Sequence, residues 1–374
     1  MAKQRAPVTP EVLRWVRESA GVEPEEAARR IGVSVPRLLE AEAGTVELTL
    51  IQARKAADVY ERPFAVLFLP SPPDEDPVDV QFRRFRDAPA LPWASAMRAL
   101  GRQVPALQEE ADALFEAIEE KPRWREAIDL FRSIPDLARL GEAVRQLVGV
   151  SLSNQKAAAR TDPQGFKAFR IWREGIESLG ILVLQDGSLT LDEMRGFASP
   201  HERVPAIVIN TNDDIRARLF TLLHEFAHVL SAEPNENRSD EFAALTLMPP
   251  LAFSSDFRSA PGGTLVERID WTARTYAVTP DAVAVRVGWL GLVAWPEVTH
   301  ARDEIRRRRG ASARAKGGNH YRNVVVRMGP GFVGRVLSAV SQGALSELGA
   351  ARLLGVRVEG LLPLRKELHG SDVA

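Results

Sequence analysis

Thr221-Leu222-Leu223-His224-Glu225-Phe226-Ala227-His228 sets two histidines four residues apart, with a glutamate directly after the first. On a helix, positions four apart lie on one face, one turn above the other. That spacing lets both imidazoles reach a single tetrahedral divalent ion. Glu225 sits beside the first ligand position. It can take a proton from a water at such an ion without being a ligand itself. The chemistry requires a helix, and the flanking residues supply one. Asp213-Asp214 offers an acidic first turn, and Ile215, Leu219, Leu222, Leu223, Phe226 and Leu230 form a broad apolar stripe. The bland alternative is a surface helix that carries two histidines.

A catalytic zinc takes three protein ligands and keeps one position for water. The chain has no cysteine, so the third donor must be nitrogen or oxygen. Glu236 and Asp240 follow, four apart on one face of a second expected helix that is closed by Pro249-Pro250. We expect Glu236 as the third ligand. Asp240 then accepts a hydrogen bond from the far nitrogen of a ligand histidine and fixes its tautomer. Glu233, Asp240 and Glu241 are the other acids able to fill the ligand position, and ordinary solvated helix acids are the plain alternative. Peptide hydrolysis also needs a donor for the developing oxyanion. His320, Tyr321, Tyr276 and His201 are the available types, with His320-Tyr321 following Gly317-Gly318. Zinc is the expected ion, and manganese also suits a His₂Glu set.

Bulk properties bound the rest. The 374 residues exceed one small domain, and 45% apolar with 26% charged residues is ordinary globular composition. A net charge of −1 excludes a molecule that is basic overall, so any basic patch is local. The absence of cysteine excludes a disulfide framework and a thiol nucleophile, and fits a reducing compartment. The first residues lack the apolar core of a signal peptide, and no run of eighteen apolar residues occurs. The expectation is a cytoplasmic protein without a membrane partner.

Residues 8–62 read as four short helices: one from Pro10 after Thr9, one from Pro24 to near Gly32, one from Val35 capped by Ser34, and one over Gln52 to Tyr60. Helix, Gly-containing turn and helix is a helix-turn-helix pattern. Residues 70–95 are proline-rich and carry Phe82-Arg83-Arg84-Phe85-Arg86; residues 96–179 are helical. Gly180 to Leu184 and Val204 to Asn210 are the strand expectations, with a turn at Gly187-Ser188. Val204 to Asn210 is either an edge to which a peptide adds by β-pairing or a plain core strand. Residues 264–294 form a helical pair. Residues 330–368 return to amphipathic helix, with a small helical turn unit over Gly343 to Leu354 and no convincing internal repeat. We therefore expect an α+β, mostly helical chain. Residues 1–70 form a helix-turn-helix domain and 71–160 a proline-rich linker and helical region. Residues 161–300 form a metallopeptidase-like domain with a small sheet over the zinc helices, and 301–374 a basic loop and C-terminal helical region.

With Glu236-Asn237-Arg238-Ser239-Asp240-Glu241-Phe242-Ala243-Ala244-Leu245-Thr246-Leu247-Met248-Pro249 added, the His224 stretch resembles the ImmA/IrrE metallopeptidase family, itself similar to the gluzincins. Ile176-Glu177-Ser178-Leu179-Gly180-Ile181-Leu182-Val183 and Ala206-Ile207-Val208-Ile209-Asn210 match its usual strand segments, so the resemblance covers about residues 165–295. Ser239 stands where alanine or cysteine is common, and Arg238 where many members have glutamate. Neither departure removes a predicted ligand. Residues 8–69, including Pro63-Phe64 and Leu67-Phe68-Leu69-Pro70, likewise resemble an XRE-type helix-turn-helix. The resemblance implies a zinc endopeptidase that cleaves a helix-turn-helix transcriptional repressor in stress or mobile-element control.

Nucleic acid is the other expected partner class. The recognition-helix stretch Ser34 to Glu42 offers Arg37 against Glu40 and Glu42, and residues 1–70 hold ten Lys/Arg and ten Asp/Glu. DNA affinity draws on phosphate neutralisation, which that balance does not favour, so both protein docking and DNA binding stay open for this module. Arg306-Arg307-Arg308-Arg309, with Arg314, Lys316, Arg322 and Arg327, is a local basic run. It suits single-stranded nucleic acid or a solvated loop, and Arg83, Arg84 and Arg86 can add to it. A homodimer is compatible with the sequence. The rival function is a non-proteolytic, antitoxin-like DNA- or protein-binding regulator with a structural metal; Glu225 discriminates, since a structural site has no use for it.

Overall fold

The computed structural model describes residues 5–60, 62–73, 95–231, 235–308 and 319–370. Phe82 to Arg86, Glu233, Arg309, Arg314, Lys316 and Gly317-Gly318 lie outside those ranges. The described chain is mostly helical with one three-stranded sheet, the α+β class expected. It divides into two compact units, Met1–Pro105 and Ala106–Ala374. Among the described residues no single helix is long and apolar enough to cross a membrane.

The first unit contains α1 (Pro10–Ser19), α2 (Pro24–Ile31), α3 (Val35–Glu42), α4 (Leu50–Val59) and a 3-10 turn at Phe64–Phe68. Its helices start where residue chemistry dictates. Proline occupies the first turn of α1 and α2, Ser34 Oγ accepts from Arg37 N, and Thr49 with Gln52 forms a reciprocal capping box. Val12, Leu13, Val16, Ile31 and Leu38 are buried together in its core. Glu42, counted from sequence as an acid offsetting Arg37, is buried. It accepts from Arg17 Nε at 2.7 Å and Nη2 at 2.9 Å. α5 (Ser95–Ala117) carries the chain across the boundary between units.

The second unit runs through α6 (Trp124–Ser133), α7 (Leu137–Leu147), α8 (Leu152–Thr161), α9 (Phe166–Glu177), β1 (Leu182–Asp186), β2 (Gly196–Ser199) and β3 (Ala206–Asn210). It continues with α10 (Ile215–Leu230), α11 (Glu236–Leu247), α12 (Pro250–Arg258), α13 (Leu265–Tyr276), α14 (Pro280–Trp289) and α15 (Trp295–Arg308). It ends with α16 (His320–Met328), α17 (Pro330–Ser341), α18 (Glu347–Leu354), a 3-10 turn at Val358–Gly360, and α19 (Leu361–Gly370). One apolar core extends from Trp124 to Ile305. Helices α6 to α8, expected as part of the linker and helical region 71–160, share this interior with α10. Phe131 and Val144 leave water by joining that core.

The sheet order is β1-β3-β2, with β1 and β3 parallel and β2 antiparallel to β3. Of the two readings of β3, the core strand is the one found, and the pairing edge is not: β3 is the central strand. All five of its residues are buried, as a continuous apolar run covered on both faces must be. β2, not foreseen, forms one edge. Gln108 of α5 donates to Ser199 O and Val204 O, both at 3.0 Å, and accepts from Ser199 Oγ at 2.8 Å.

Candidate metal centre

Helix α10 forms because Asp214 caps it and its apolar stripe has somewhere to go. The Asp214 carboxylate accepts from Arg216 N at 2.9 Å. Leu219, Leu222, Leu223 and Phe226 are fully buried against the sheet and its neighbouring helices. His224 and His228 occupy one side of this helix, their side chains 13% and 8% exposed, while Glu236 in the first turn of α11 is 59% exposed. Asn235 starts α11 by accepting from Arg238 N at 3.0 Å, which places Glu236 at the positive end of the helix dipole.

Donor atoms of three side chains converge. His224 Nε2 and His228 Nε2 are 3.0 Å apart, Glu236 Oε2 is 3.3 Å from His224 Nε2, and Glu236 Oε1 is 3.4 Å from His228 Nε2. Ligand atoms about 2.0–2.1 Å from a tetrahedral ion stand roughly 3.3 Å from one another. Each imidazole nitrogen and its nearer carboxylate oxygen stand close to that spacing, one ligand atom from each of the three residues lies within 4.8 Å of the others, and the group can hold a metal ion. Asp240 Oδ1 lies 2.8 Å from His224 Nδ1. The carboxylate accepts that N–H, which leaves the Nε2 lone pair directed at the cluster. Burial pulls the His224 imidazole pKa down. It is outweighed by the Asp240 hydrogen bond and by the charges of Glu225, Asp240 and Glu236, so the net direction is upward.

Glu225 is only 7% exposed. Its neighbour on the sheet is Gly196 at the start of β2. A Cβ there would stand 2.6 Å from Thr221 Cγ2, 3.1 Å from Val208 O and 3.2 Å from Glu225 Cγ. Only glycine lets β2 close on α10 at this point, and sequence reasoning missed it because Arg195-Gly196 looks like part of a turn.

The far end of α11 is held by a second unforeseen group. Arg145 of α7 is 5% exposed and donates to Thr246 O at 2.8 Å, Val150 O at 3.1 Å and Leu247 O at 3.4 Å. It also donates to Gln155 Oε1. Gln155 of α8 in turn donates to Leu247 O at 3.2 Å and Tyr276 O at 2.7 Å. A buried cation on the last carbonyls of a helix satisfies both its orphan acceptors and its dipole.

The remaining sequence-derived positions take other partners. Tyr276 Oη donates to Asp256 Oδ2 at 2.6 Å, an oxygen it shares with Lys156 Nζ. His201 Nδ1 accepts from Arg203 N and Val204 N at 3.2 and 3.0 Å. His320 and Tyr321 open α16, with Tyr321 packed against Gly360. Arg37 reaches Glu47 O at 3.3 Å. Arg306, Arg307 and Arg308 close α15, where Arg306 pairs with Asp303 at 3.7 Å and Arg308 with Glu304. The structure thus brings His224, His228, Glu236, Asp240 and Glu225 together, and among the described residues it shows no contact from these others to that cluster. Comparison of the chain with protein-family models, with curated proteins and with solved structures finds no match.

Proposed function

We propose that the chain is a zinc-dependent endopeptidase. The observation that carries the reading is the convergence of His224, His228 and Glu236 on one point, with Glu225, a carboxylate outside that donor set, directly beside the first of them. An ion held by this set supplies Lewis acidity, which acidifies a water and polarises a peptide carbonyl. Glu225 takes the proton from the attacking water and delivers it to the departing amide nitrogen. Its near-complete burial keeps that carboxylate aimed rather than solvated. Asp240 holds His224 in the tautomer that turns Nε2 inward. Two neutral imidazoles and one carboxylate favour zinc, with manganese as the second choice.

The substrate class follows from the resemblance drawn above: a helix-turn-helix transcriptional repressor, with cleavage switched on by stress or by a mobile element. The XRE-like first unit then serves to dock that protein. The test is Glu225→Gln, with zinc content and cleavage of helix-turn-helix repressors from the same genome measured together. The variant should bind zinc as the wild type does and lose about 10²–10⁴-fold in cleavage rate. Cleavage at the wild-type rate by the variant, or wild-type protein that takes up no divalent metal, removes the proposal. Full regulatory activity in the variant favours a structural metal in a binding protein.

A further inference from the structure

The turn between α2 and α3 occurs twice in the chain. Ala27-Ala28-Arg29-Arg30-Ile31-Gly32-Val33-Ser34-Val35-Pro36-Arg37-Leu38-Leu39 and Ala350-Ala351-Arg352-Leu353-Leu354-Gly355-Val356-Arg357-Val358-Glu359-Gly360-Leu361-Leu362 share eight of thirteen residues without a gap. The geometry repeats with the letters. Gly32 ends α2 at φ 83°, ψ 44°, and Gly355 ends α18 at φ 66°, ψ 36°, both in the left-handed region that glycine enters without strain. Ala27, Ala28 and Ile31 are buried, as are Ala350, Ala351 and Leu354. Leu38 and Leu361 point inward, whereas Leu39 and Leu362 are 44% and 63% exposed. The burial class differs at only two of the thirteen pairs, Arg30 with Leu353 and Arg37 with Gly360. α17 packs on α18 and α19, as α1 packs on α3. The expectation of no internal repeat is thereby corrected.

The two copies differ in charge. Residues 1–70 balance ten basic against ten acidic side chains, and one pair, Arg17 with Glu42, is buried. Residues 319–370 hold seven Lys/Arg against three Asp/Glu. Arg327, Arg352, Arg357, Arg365 and Lys366 of this segment are all exposed. Arg327 overhangs the turn itself: a Cβ on Gly355 would lie 3.3 Å from its Nη2. Cations around the turn and on the second helix are where a helix-turn-helix meets phosphates.

We propose that α18, the Gly355 turn and α19 form a second helix-turn-helix, and that this copy binds duplex DNA. α19 is its reading helix, and Arg327, Arg352, Arg357 and Lys366 neutralise phosphates on either side of it. The assignment does not depend on the metal centre. The repeat identifies the motif, and the charge difference says which copy meets the polyanion.

The test uses the full chain and a fluorescent 30-base-pair duplex of mixed sequence, titrated by anisotropy across a series of salt concentrations. Non-specific binding suffices, because the phosphate contribution is independent of sequence. R352Q/R357Q/K366Q removes three exposed cations. R29Q/R30Q removes two from the first copy, Arg29 being the counterpart of Arg352. The C-terminal variant should bind roughly tenfold or more weakly at low salt, and its plot of log affinity against log salt should be shallower by about 2.7, at about 0.9 per lost phosphate contact. R29Q/R30Q should bind as the wild type does. Thermal unfolding of each variant separates lost contacts from lost structure. The proposal is overturned if the wild type shows no salt-dependent DNA binding. It is overturned equally if the folded C-terminal variant keeps the wild-type slope, if R29Q/R30Q is the variant that loses binding, or if the C-terminal variant loses only repressor binding.

Discussion

Gly196→Ala tests how Glu225 is positioned. Carbon atoms in contact rest about 3.6 Å apart. The new methyl would sit 2.6 Å from Thr221 Cγ2 and 3.2 Å from Glu225 Cγ, leaving deficits of about 1.0 and about 0.4 Å by that spacing. Thr221 is β-branched within a helix and has few rotamers in which to retreat. β2 and α10 must therefore separate by roughly half an ångström. Overpacking of this kind costs about 1–3 kcal/mol. Replacing glycine returns about 0.4–1 kcal/mol through the unfolded chain. The net loss is about 1–2 kcal/mol, or roughly 2–8 °C in melting temperature for a unit of this size. Because 1 Å of misplacement can cost about 10²-fold in rate, half that shift at Glu225 should lower cleavage about tenfold. Zinc affinity should hold, since none of the three donors faces Gly196. Adding Thr221→Ser deletes the closest clashing atom and should restore most of the stability, a positive coupling in the double-mutant cycle. Wild-type melting and cleavage in G196A, or strict additivity with T221S, would refute the packing argument.

Asp240→Ala should weaken zinc binding about 10–100-fold by calorimetry, because His224 loses the acceptor that orients it; unchanged affinity would mean that Asp240 does not orient the ring. Zinc at a hundred times its dissociation constant should stabilise the second unit by about 2.7 kcal/mol, and a chelator should reverse the melting shift. Because the His224 pKa is raised, proton competition begins at higher pH than for a free imidazole, and zinc affinity measured across a pH series should start to fall at a higher pH than it does for imidazole itself. Arg145→Met removes the donors on Thr246 O and Val150 O from a buried site and should cost about 3 kcal/mol in denaturant unfolding; a loss under about 1 kcal/mol would show that water replaces the guanidinium.

The donor set was readable because helix periodicity converts spacing into geometry. His224 and His228 had to share a face, and the Glu236/Asp240 spacing repeated the rule on α11. The pairing of β3 was not readable. Ala206-Ile207-Val208-Ile209 shows by its unbroken apolarity that it is a strand, but not which strands flank it, and a central strand has the same letters as a covered edge. β2 escaped notice because four residues beginning with glycine carry no period. Arg145 and Gln155 were invisible for another reason. They are 101 and 92 residues away from the carbonyls they bind, and backbone oxygens have no sequence signature. The second helix-turn-helix was masked by Gly360, which replaces Arg37 and lets Tyr321 lie against the backbone, so the reading helix opens with a 3-10 turn.

The guanidinium seated on the last carbonyls of α11 makes that helix a lever with a fixed fulcrum. Thr246 and Glu236 are ten residues apart, about 15 Å along the axis. Over that arm a tilt of only about 4° carries the Glu236 carboxylate about 1 Å, enough to open or close a coordination triangle. Tension on the α11 carbonyls is thus read out at its opposite tip. Amide exchange along α11 should then be graded, slow near Leu247 in every state and slow near Glu236 only when a divalent ion grips the moving end.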